Sequence, residues 1–198
     1  LSITQEFPKH QFSWKVLGAV LKETGRVSES LVASQKSVQL APRDAEPHNS
    51  IGVALQELGR LDEAETSLMQ AIALKPDFVE AHYNLGITLK KLGRFDEAEA
   101  CYTQAIALRP DYAEAHNNLG ILLQELGRLD EAEAVFRQAV ALKADYAEAH
   151  SNLGNTLKEL SKLEEAEASY KQAILLKSDY AEAHSNLGIT LQELGRLE

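Results

Sequence analysis

Residues 113–146 read AEAHNNLGILLQELGRLDEAEAVFRQAVALKADY, and the 34 residues that follow repeat them closely. Residues 147–180 are identical to them at 21 of 34 positions. A pair formed by Leu or Ile and Gly recurs every 34 residues along the chain, at Leu17-Gly18, Ile51-Gly52, Leu85-Gly86, Leu119-Gly120, Leu153-Gly154 and Leu187-Gly188. A fixed period of this length is typical of solenoids, in which each repeat is one supersecondary unit that stacks on the next.

Apolar residues within one repeat follow a helical period twice. Four leucines fall at i, i+3, i+4 and i+7 and predict one face of a first helix, namely Leu119, Leu122, Leu123 and Leu126. Beyond Gly127, a second apolar stretch has helical spacing again, with Ala132, Phe136, Ala139 and Leu142. The sequence therefore predicts two antiparallel helices in each repeat, joined by a tight turn.

The turns have their own signals. A helix that ends in a tight turn favours glycine with positive φ, which we expect at Gly59, Gly93, Gly127 and Gly195. Ser161 stands at this position in one repeat, and we expect strain and a looser or differently shaped turn there. Proline ends the second helix at Pro42, Pro76 and Pro110, whereas Ala144 and Ser178 replace it later.

Asp-x-x-Glu follows both kinds of turn and is predicted to be a capping box, in which the aspartate is the N-cap. After the glycine turn the pairs are Asp62 with Glu65, Asp96 with Glu99 and Asp130 with Glu133. Before the next first helix they are Asp77 with Glu80, Asp111 with Glu114, Asp145 with Glu148 and Asp179 with Glu182.

These features resemble the tetratricopeptide repeat, on the Leu-Gly pair, the small residues Ala98 and Ala105, the aromatic Tyr102 between them and the closing Pro110. The resemblance implies an all-α fold, a right-handed α-solenoid superhelix of stacked antiparallel helix pairs with the first helices lining its concave side. Small residues such as Gly86, Ala98 and Ala105 are expected where helix backbones approach closely.

We expect one solenoid over residues 1–198, cut from a longer array. Residues 1–10 are interpreted as the end of a truncated repeat and residues 181–198 as the first helix of another. The predicted full repeats are residues 11–44, 45–78, 79–112, 113–146 and 147–180.

By the same resemblance, the groove would bind an extended peptide through a column of asparagines, because a carboxamide can pair with both groups of a peptide unit. The candidate groove residues are Asn49, Tyr83, Asn84, Asn117, Asn118, Asn152, Asn155, Asn186, Lys90 and Lys158. The alternative is that each asparagine bonds a neighbouring repeat and only borders the groove.

The leading hypothesis is a protein-interaction scaffold that is not an enzyme. The sequence AEAHSNLG at residues 147–154 also resembles the repeat arm of O-linked N-acetylglucosamine transferases. A substrate-docking arm of a larger glycosyltransferase or sulfotransferase is therefore the second hypothesis. End-to-end self-association is the third, because Leu187, Leu191, Leu194 and Leu197 lack a following helix to cover them.

Other chemistries are disfavoured. The carboxylate clamp of chaperone adaptors is not expected, since Ala19 replaces one of its asparagines and glutamates occupy the groove-edge column. A histidine column is assigned to packing rather than to metal, because equivalent residues of stacked repeats lie about 10 Å apart. It comprises His48, His82, His116, His150 and His184. Cys101 is expected to be inert, and neither a cofactor nor a catalytic motif is predicted.

The net charge of −10 disfavours nucleic acid and anionic membranes as partners. No apolar run is long enough for a membrane span. Composition alone favours a cytoplasmic location, with a protein or peptide as the partner.

Overall fold

The computed structural model describes residues 9–196 and shows eleven α-helices and no β-strand within them, which confirms the all-α prediction. The chain divides into two compact units, residues 1–108 and residues 109–198. The first unit contains α1 (Gln11–Glu23), α2 (Val27–Leu40), α3 (Ala45–Glu57), α4 (Leu61–Leu74), α5 (Val79–Lys91) and α6 (Phe95–Leu108). The second contains α7 (Ala113–Glu125), α8 (Leu129–Leu142), α9 (Ala147–Glu159), α10 (Leu163–Leu176) and α11 (Ala181–Glu193).

Each unit is a succession of helix pairs. In the first unit α1 packs on α2, α3 on α4 and α5 on α6, and the second helix of each pair also packs on the next first helix. The first helices contact one another directly, α1 with α3 and α3 with α5. The second unit repeats this order, with α7 against α9 and α9 against α11. First helices therefore form one layer in each unit and second helices the other.

The prediction that places the end of a truncated repeat at residues 1–10 lies mostly outside the described residues. No helix within residues 9–196 is long and apolar enough to cross a bilayer.

The turn within each pair depends on one residue with positive φ. Gly25, Gly59, Gly93, Gly127 and Gly195 have φ between 68° and 75°, as predicted for the later four. Ser161 adopts φ 60° and is thus strained, but the expectation of a looser turn is wrong. The Ser161 N–H donates to Lys158 O at 2.9 Å, and the equivalent Gly127 N–H donates to Gln124 O at 2.9 Å. The next N–H is bonded in both turns as well, from Lys162 to Leu157 O at 2.8 Å and from Arg128 to Leu123 O at 2.9 Å. Because both backbone bonds of the turn persist, serine is held in the conformation that glycine adopts freely.

The turn between pairs does not depend on proline. Lys75, before Pro76, has φ −140° and ψ 89°, and Lys143, before Ala144, has φ −137° and ψ 88°. A histidine six residues further along the chain stabilises both turns. Its Nε2 hydrogen-bonds the backbone carbonyl of the residue at the proline position. The distances are 2.8 Å from His82 to Pro76 O and 3.1 Å from His150 to Ala144 O. Since every residue has a backbone carbonyl, the side chain at this position is free to vary.

The capping-box prediction is wrong because it places the helix starts at the wrong residues. The second helices begin at Leu61 and Leu129, so that Asp62 and Asp130 lie inside the first turn instead of at the N-cap. At the first helices the N-cap is an aromatic residue without a side-chain cap, at Phe78, Tyr112, Tyr146 and Tyr180. Acidic residues in the first turn still stabilise the helix through their interaction with the positive N-terminal end of the helix dipole. Asp44 does cap α3, and accepts from the Glu46 N–H at 3.1 Å.

Glutamates of the second helices bind the next repeat instead, among them Glu65 and Glu133, which the sequence assigns to those boxes. Glu65 accepts from Arg94 at 2.7 Å, 29 residues along the chain. In the second unit Glu133 accepts from Lys162 at 2.6 Å, and Glu167 accepts from Arg196 at 2.6 Å. Each of these three carboxylates is thereby joined to a cation in the helix-pair turn of the next repeat.

In three helix pairs the glycine of the first helix packs tightly against a buried ring of the second, and in the α3–α4 pair Gly52 packs in the same way against Leu68. A methyl group added to Gly120 would lie 2.7 Å from the Phe136 ring, and one added to Gly154 would lie 2.6 Å from the Tyr170 ring. Both rings are fully buried, as are Ala98 and Ala105 at the predicted small positions. Small residues are therefore required where the two helices meet.

The last helix lacks this cover. Leu153 and Leu157 of α9 are 4% and 1% exposed, whereas the equivalent Leu187 and Leu191 of α11 are partly exposed. Gly188 has no atom within 4 Å of an added Cβ. Leu197 lies outside the described residues, and end-to-end association through this surface stays a prediction.

We expect Gly120→Ala to destabilise the chain by about 1–3 kcal/mol, because the buried Phe136 ring has no room to move away. Gly188→Ala is the matched control. It makes the same change at the same repeat position, and should be neutral or stabilising through helix propensity. Urea unfolding followed by far-UV circular dichroism compares the two midpoints. Equal midpoints would contradict the packing argument.

Glu133 links stability to pH. Burial raises the pKa of this carboxyl, but hydrogen bonds from Lys162 and Arg137 outweigh burial and leave the pKa below its ordinary value. The bonds therefore stabilise the fold above the unfolded pKa of about 4.3, and this stabilisation is lost as the pH falls through the lower folded pKa.

Glu133→Gln should lower the melting temperature at neutral pH by about 2–4 °C, since the cationic partners are partly solvated. Glu131→Gln breaks only the exposed contact with Arg128 in the same repeat and should change the melting temperature little. The difference in melting temperature between the two variants should vanish at a pH where the Glu133 carboxyl of the wild type is protonated. A difference that persists where the wild-type carboxyl is protonated would refute the electrostatic origin.

Candidate binding surface of the first helices

All ten candidate groove residues lie on first helices. Nine are partly exposed, and Asn117 is buried at 4% exposure. Asn49 is on α3; Tyr83, Asn84 and Lys90 are on α5; Asn117 and Asn118 are on α7; Asn152, Asn155 and Lys158 are on α9; and Asn186 is on α11. The layer of first helices therefore presents a polar surface in each unit.

In the first unit two asparagines of successive repeats are joined. The Asn84 amide donates to Asn49 Oδ1 at 2.9 Å. The backbone carbonyl of Asn84 accepts from Gln56 Nε2 at 2.6 Å and from the Thr88 hydroxyl at 3.0 Å, and Gln56 also donates to that hydroxyl. Gln56 is nearly buried, and its bridging role was not predicted. Asn84 is thus bonded through both its side-chain amide and its backbone carbonyl. Its Oδ1 and its second amide hydrogen bond no described residue.

The second unit repeats the asparagine pairing. The Asn152 amide donates to Asn117 Oδ1 at 3.0 Å, and the Asn186 amide donates to Asn155 Oδ1 at 2.9 Å. Bonds between neighbouring repeats are therefore present, as the second interpretation of the column required. They use one hydrogen of each donor amide, so that pairing and ligand binding are compatible.

A cavity of about 280 Å³ in the second unit is lined by Gln124, Asn155, Lys158, Glu159 and Asn186. The structure thus brings three of the candidate residues together: Asn155, Lys158 and Asn186. Gln124 donates to Glu159 Oε1 at 2.5 Å across the α7–α9 contact. Every residue that lines the cavity is polar, which suits a polar ligand.

Asn155 breaks the apolar column to which it belongs, where the other repeats have Val53, Ile87, Ile121 and Ile189. Its Oδ1 accepts from the hydroxyl of the buried Tyr170 at 2.8 Å. Burial, with the nearby carboxylates Glu182, Glu159 and Glu193, raises the pKa of Tyr170, so the phenol stays protonated and donates. Where the column has Ile121, the ring opposite is Phe136, which needs no acceptor.

The remaining candidate chemistries have structural explanations. All five histidines of the predicted column bond a backbone carbonyl through Nε2 at 2.8–3.1 Å. Within residues 9–196 no three His, Cys, Asp or Glu side chains are grouped so as to hold a metal ion. Burial, with the negative charge of Glu97, raises the pKa of Cys101 to about 11, which keeps the thiol protonated and unreactive.

Two family profiles match the sequence. One, described as tetratricopeptide repeat, matches residues 77–145, and one, described as TPR repeat, matches residues 56–93 and 154–195. Together they extend over more than half of the chain, and the helix pairs have the order that this family requires. The chain belongs to the tetratricopeptide repeat family. No curated protein sequence matches it.

Solved structures show the same fold at low sequence identity. YrrB, a TPR protein with an unusual peptide-binding site, has a TM-score of 0.69 and 22% identity over 93% of this chain and 95% of its own. TTC0263, a thermophilic TPR protein in Thermus thermophilus, has a TM-score of 0.73 and 23% identity over 92% and 100%. A chain of the APC/C hetero-tetramer Cut9-Hcn1 has a TM-score of 0.84 and 19% identity, over 98% of this chain and 39% of its own. The resemblance to O-linked N-acetylglucosamine transferases stays a prediction.

Asn155→Ile should destabilise the chain by about 1–3 kcal/mol, because it leaves the buried Tyr170 hydroxyl without an acceptor. The double variant Asn155→Ile/Tyr170→Phe recreates the Ile121 and Phe136 combination of the preceding repeat and should recover most of that loss. Urea midpoints of the four chains of this double-mutant cycle give the coupling. Additive effects would show that the hydrogen bond does not couple these residues.

Proposed function

We propose that this protein is a non-catalytic interaction scaffold that binds an extended peptide or partner segment on the layer of first helices. Tetratricopeptide repeat proteins generally bind protein or peptide partners, and the similar structure YrrB is described by its peptide-binding site. The observation that carries the proposal is the pairing of Asn84 with Asn49 and of Asn152 with Asn117.

The pairing fixes each asparagine before a ligand arrives. A side chain that is already ordered loses little conformational entropy on binding, which raises affinity. The free carbonyl oxygen and amide hydrogen of Asn84 and Asn152 match the N–H and C=O of a peptide unit. Because such contacts use only the ligand backbone, they favour extended chains and select weakly among side chains.

A substrate-docking arm of a larger modifying enzyme would use this same surface, and the experiment below applies to both roles.

A fourfold variant tests the asparagine column, with Asn84, Asn118, Asn152 and Asn186 replaced by alanine. The chain offers a matched control, because a second carboxamide column with the same 34-residue period lies on the second helices. Its members are Gln70, Gln104, Gln138 and Gln172. A peptide is first selected from a displayed random library on the wild-type chain, and its affinity is then measured by fluorescence anisotropy.

The asparagine variant should bind at least about tenfold more weakly, since several hydrogen bonds of about 0.5–1.5 kcal/mol are lost together. The glutamine variant should bind like the wild type. Circular dichroism at the assay temperature verifies that both remain helical. Equal loss in the two variants, or no loss in the first, would contradict the proposed surface.

A further inference from the structure

Lys158 differs from every other cation of the second unit. Within residues 109–196, all other lysines and arginines contact a carboxylate or lie over a tyrosine ring. Arg128, Arg137, Lys143, Lys162, Lys171 and Arg196 form ion pairs, and Arg109 and Lys177 lie over rings at 5.0 Å. Lys158 has neither kind of contact in this part of the chain, although it is only partly exposed.

Scarcity of acids does not explain this isolation. The sequence has 30 acidic and 20 basic residues, so carboxylates are in excess. The position of Lys158 does explain it, because the side chain lines the polar cavity beside Asn155 and Asn186. A partly desolvated ammonium gains most from an anion that enters the same cavity.

The neighbouring amides supply further donors. Asn155 and Lys158 are three residues apart on α9 and therefore share a face. The Asn186 amide uses one hydrogen on Asn155 Oδ1 and keeps the other. An ammonium and amide hydrogens around one cavity form a site for a carboxylate. The asparagines beside it would bind the backbone of the same peptide.

Two acidic side chains limit how much negative charge the cavity accepts. Glu159 lines it, and Glu182 Oε1 lies 3.5 Å from Asn155 Nδ2. Both are exposed, so solvent and salt weaken their effect on one bound anion. A second anion would meet both without a cation of its own. The site therefore fits one isolated carboxylate better than an acidic run.

We propose that the cavity around Lys158 binds the carboxylate side chain of a single aspartate or glutamate in an extended peptide. This inference rests on the proposed function and assigns a side-chain preference to its surface. Lys158 lies outside the glutamate column that disfavours a carboxylate clamp.

The probe is a bead-bound library of short random peptides, acetylated at the N-terminus and amidated at the C-terminus, screened with the fluorescently labelled 198-residue chain. The best peptide is resynthesised with its acidic residue changed to the amide, with a second acidic residue beside the first, and with a free C-terminal carboxylate. Affinities are measured for the wild type, Lys158→Gln and Lys177→Gln. Both variants lose one positive charge, so a general charge effect weakens them equally.

The wild type and Lys177→Gln should prefer the acidic peptide over its amide by about fivefold, as expected for a partly exposed ion pair. Lys158→Gln should bind both equally. The added acidic residue should weaken binding. A free C-terminus should add nothing, since the side chain is the source of the carboxylate.

Several results would overturn the inference. If peptides bind without a preference for an acidic residue, the proposed interaction scaffold is supported and the proposed role of Lys158 is refuted. The same holds if both lysine variants lose the preference, or if only peptides with a free C-terminal carboxylate bind. If no peptide binds the wild-type chain, the proposed function and this inference fail together.

Discussion

The contact between a first-helix glycine and the ring or leucine opposite sets the distance between the two helices of a pair. At Gly86 and Gly154 a methyl group would come within 2.7 Å and 2.6 Å of a tyrosine ring. Those rings are almost completely buried, so each fills the space that the missing Cβ leaves. The spacing brings the next first helix within hydrogen-bonding reach, and the asparagine pairs and the cavity depend on it.

Polar contacts then fix the register of neighbouring repeats from both layers. On the first helices, amide pairs join residues 35 positions apart, as Asn84 joins Asn49, or 31 apart, as Asn186 joins Asn155. On the second helices, carboxylates reach cations 29 positions on, as Glu133 reaches Lys162. Each contact is partly solvated and individually modest, but contacts of the same kind occur between several pairs of neighbouring repeats. A repeat array thus gains its stability from many equivalent interfaces of moderate strength.

Positions that break the period are the ones that distinguish one repeat from another. Asn155 replaces an apolar residue, and it binds both a buried tyrosine and the next asparagine. Lys158 stands where both neighbouring repeats have glutamine, although an earlier repeat has Lys90 at the same position. It is the cation left unpaired in the described part of the second unit. Shared residues maintain the fold, so the selectivity of a ligand site is expected from residues that are not shared. Both features meet at one cavity.

The period followed from comparing repeats, and local rules were sufficient for the helix pairs and the glycines with positive φ. The family resemblance supplied the small residues at Ala98 and Ala105. The same rules misplaced the caps, since Asp-x-x-Glu specifies a spacing but not the residue at which a helix begins. They also missed the partner of Glu65, the bridge made by Gln56 and the carbonyl bonded by His82. The partners of Glu65 and Gln56 come from the next repeat, and all three depend on how backbones stack or turn in space. Distances across that stacking are set by tertiary packing and are not encoded in any single repeat.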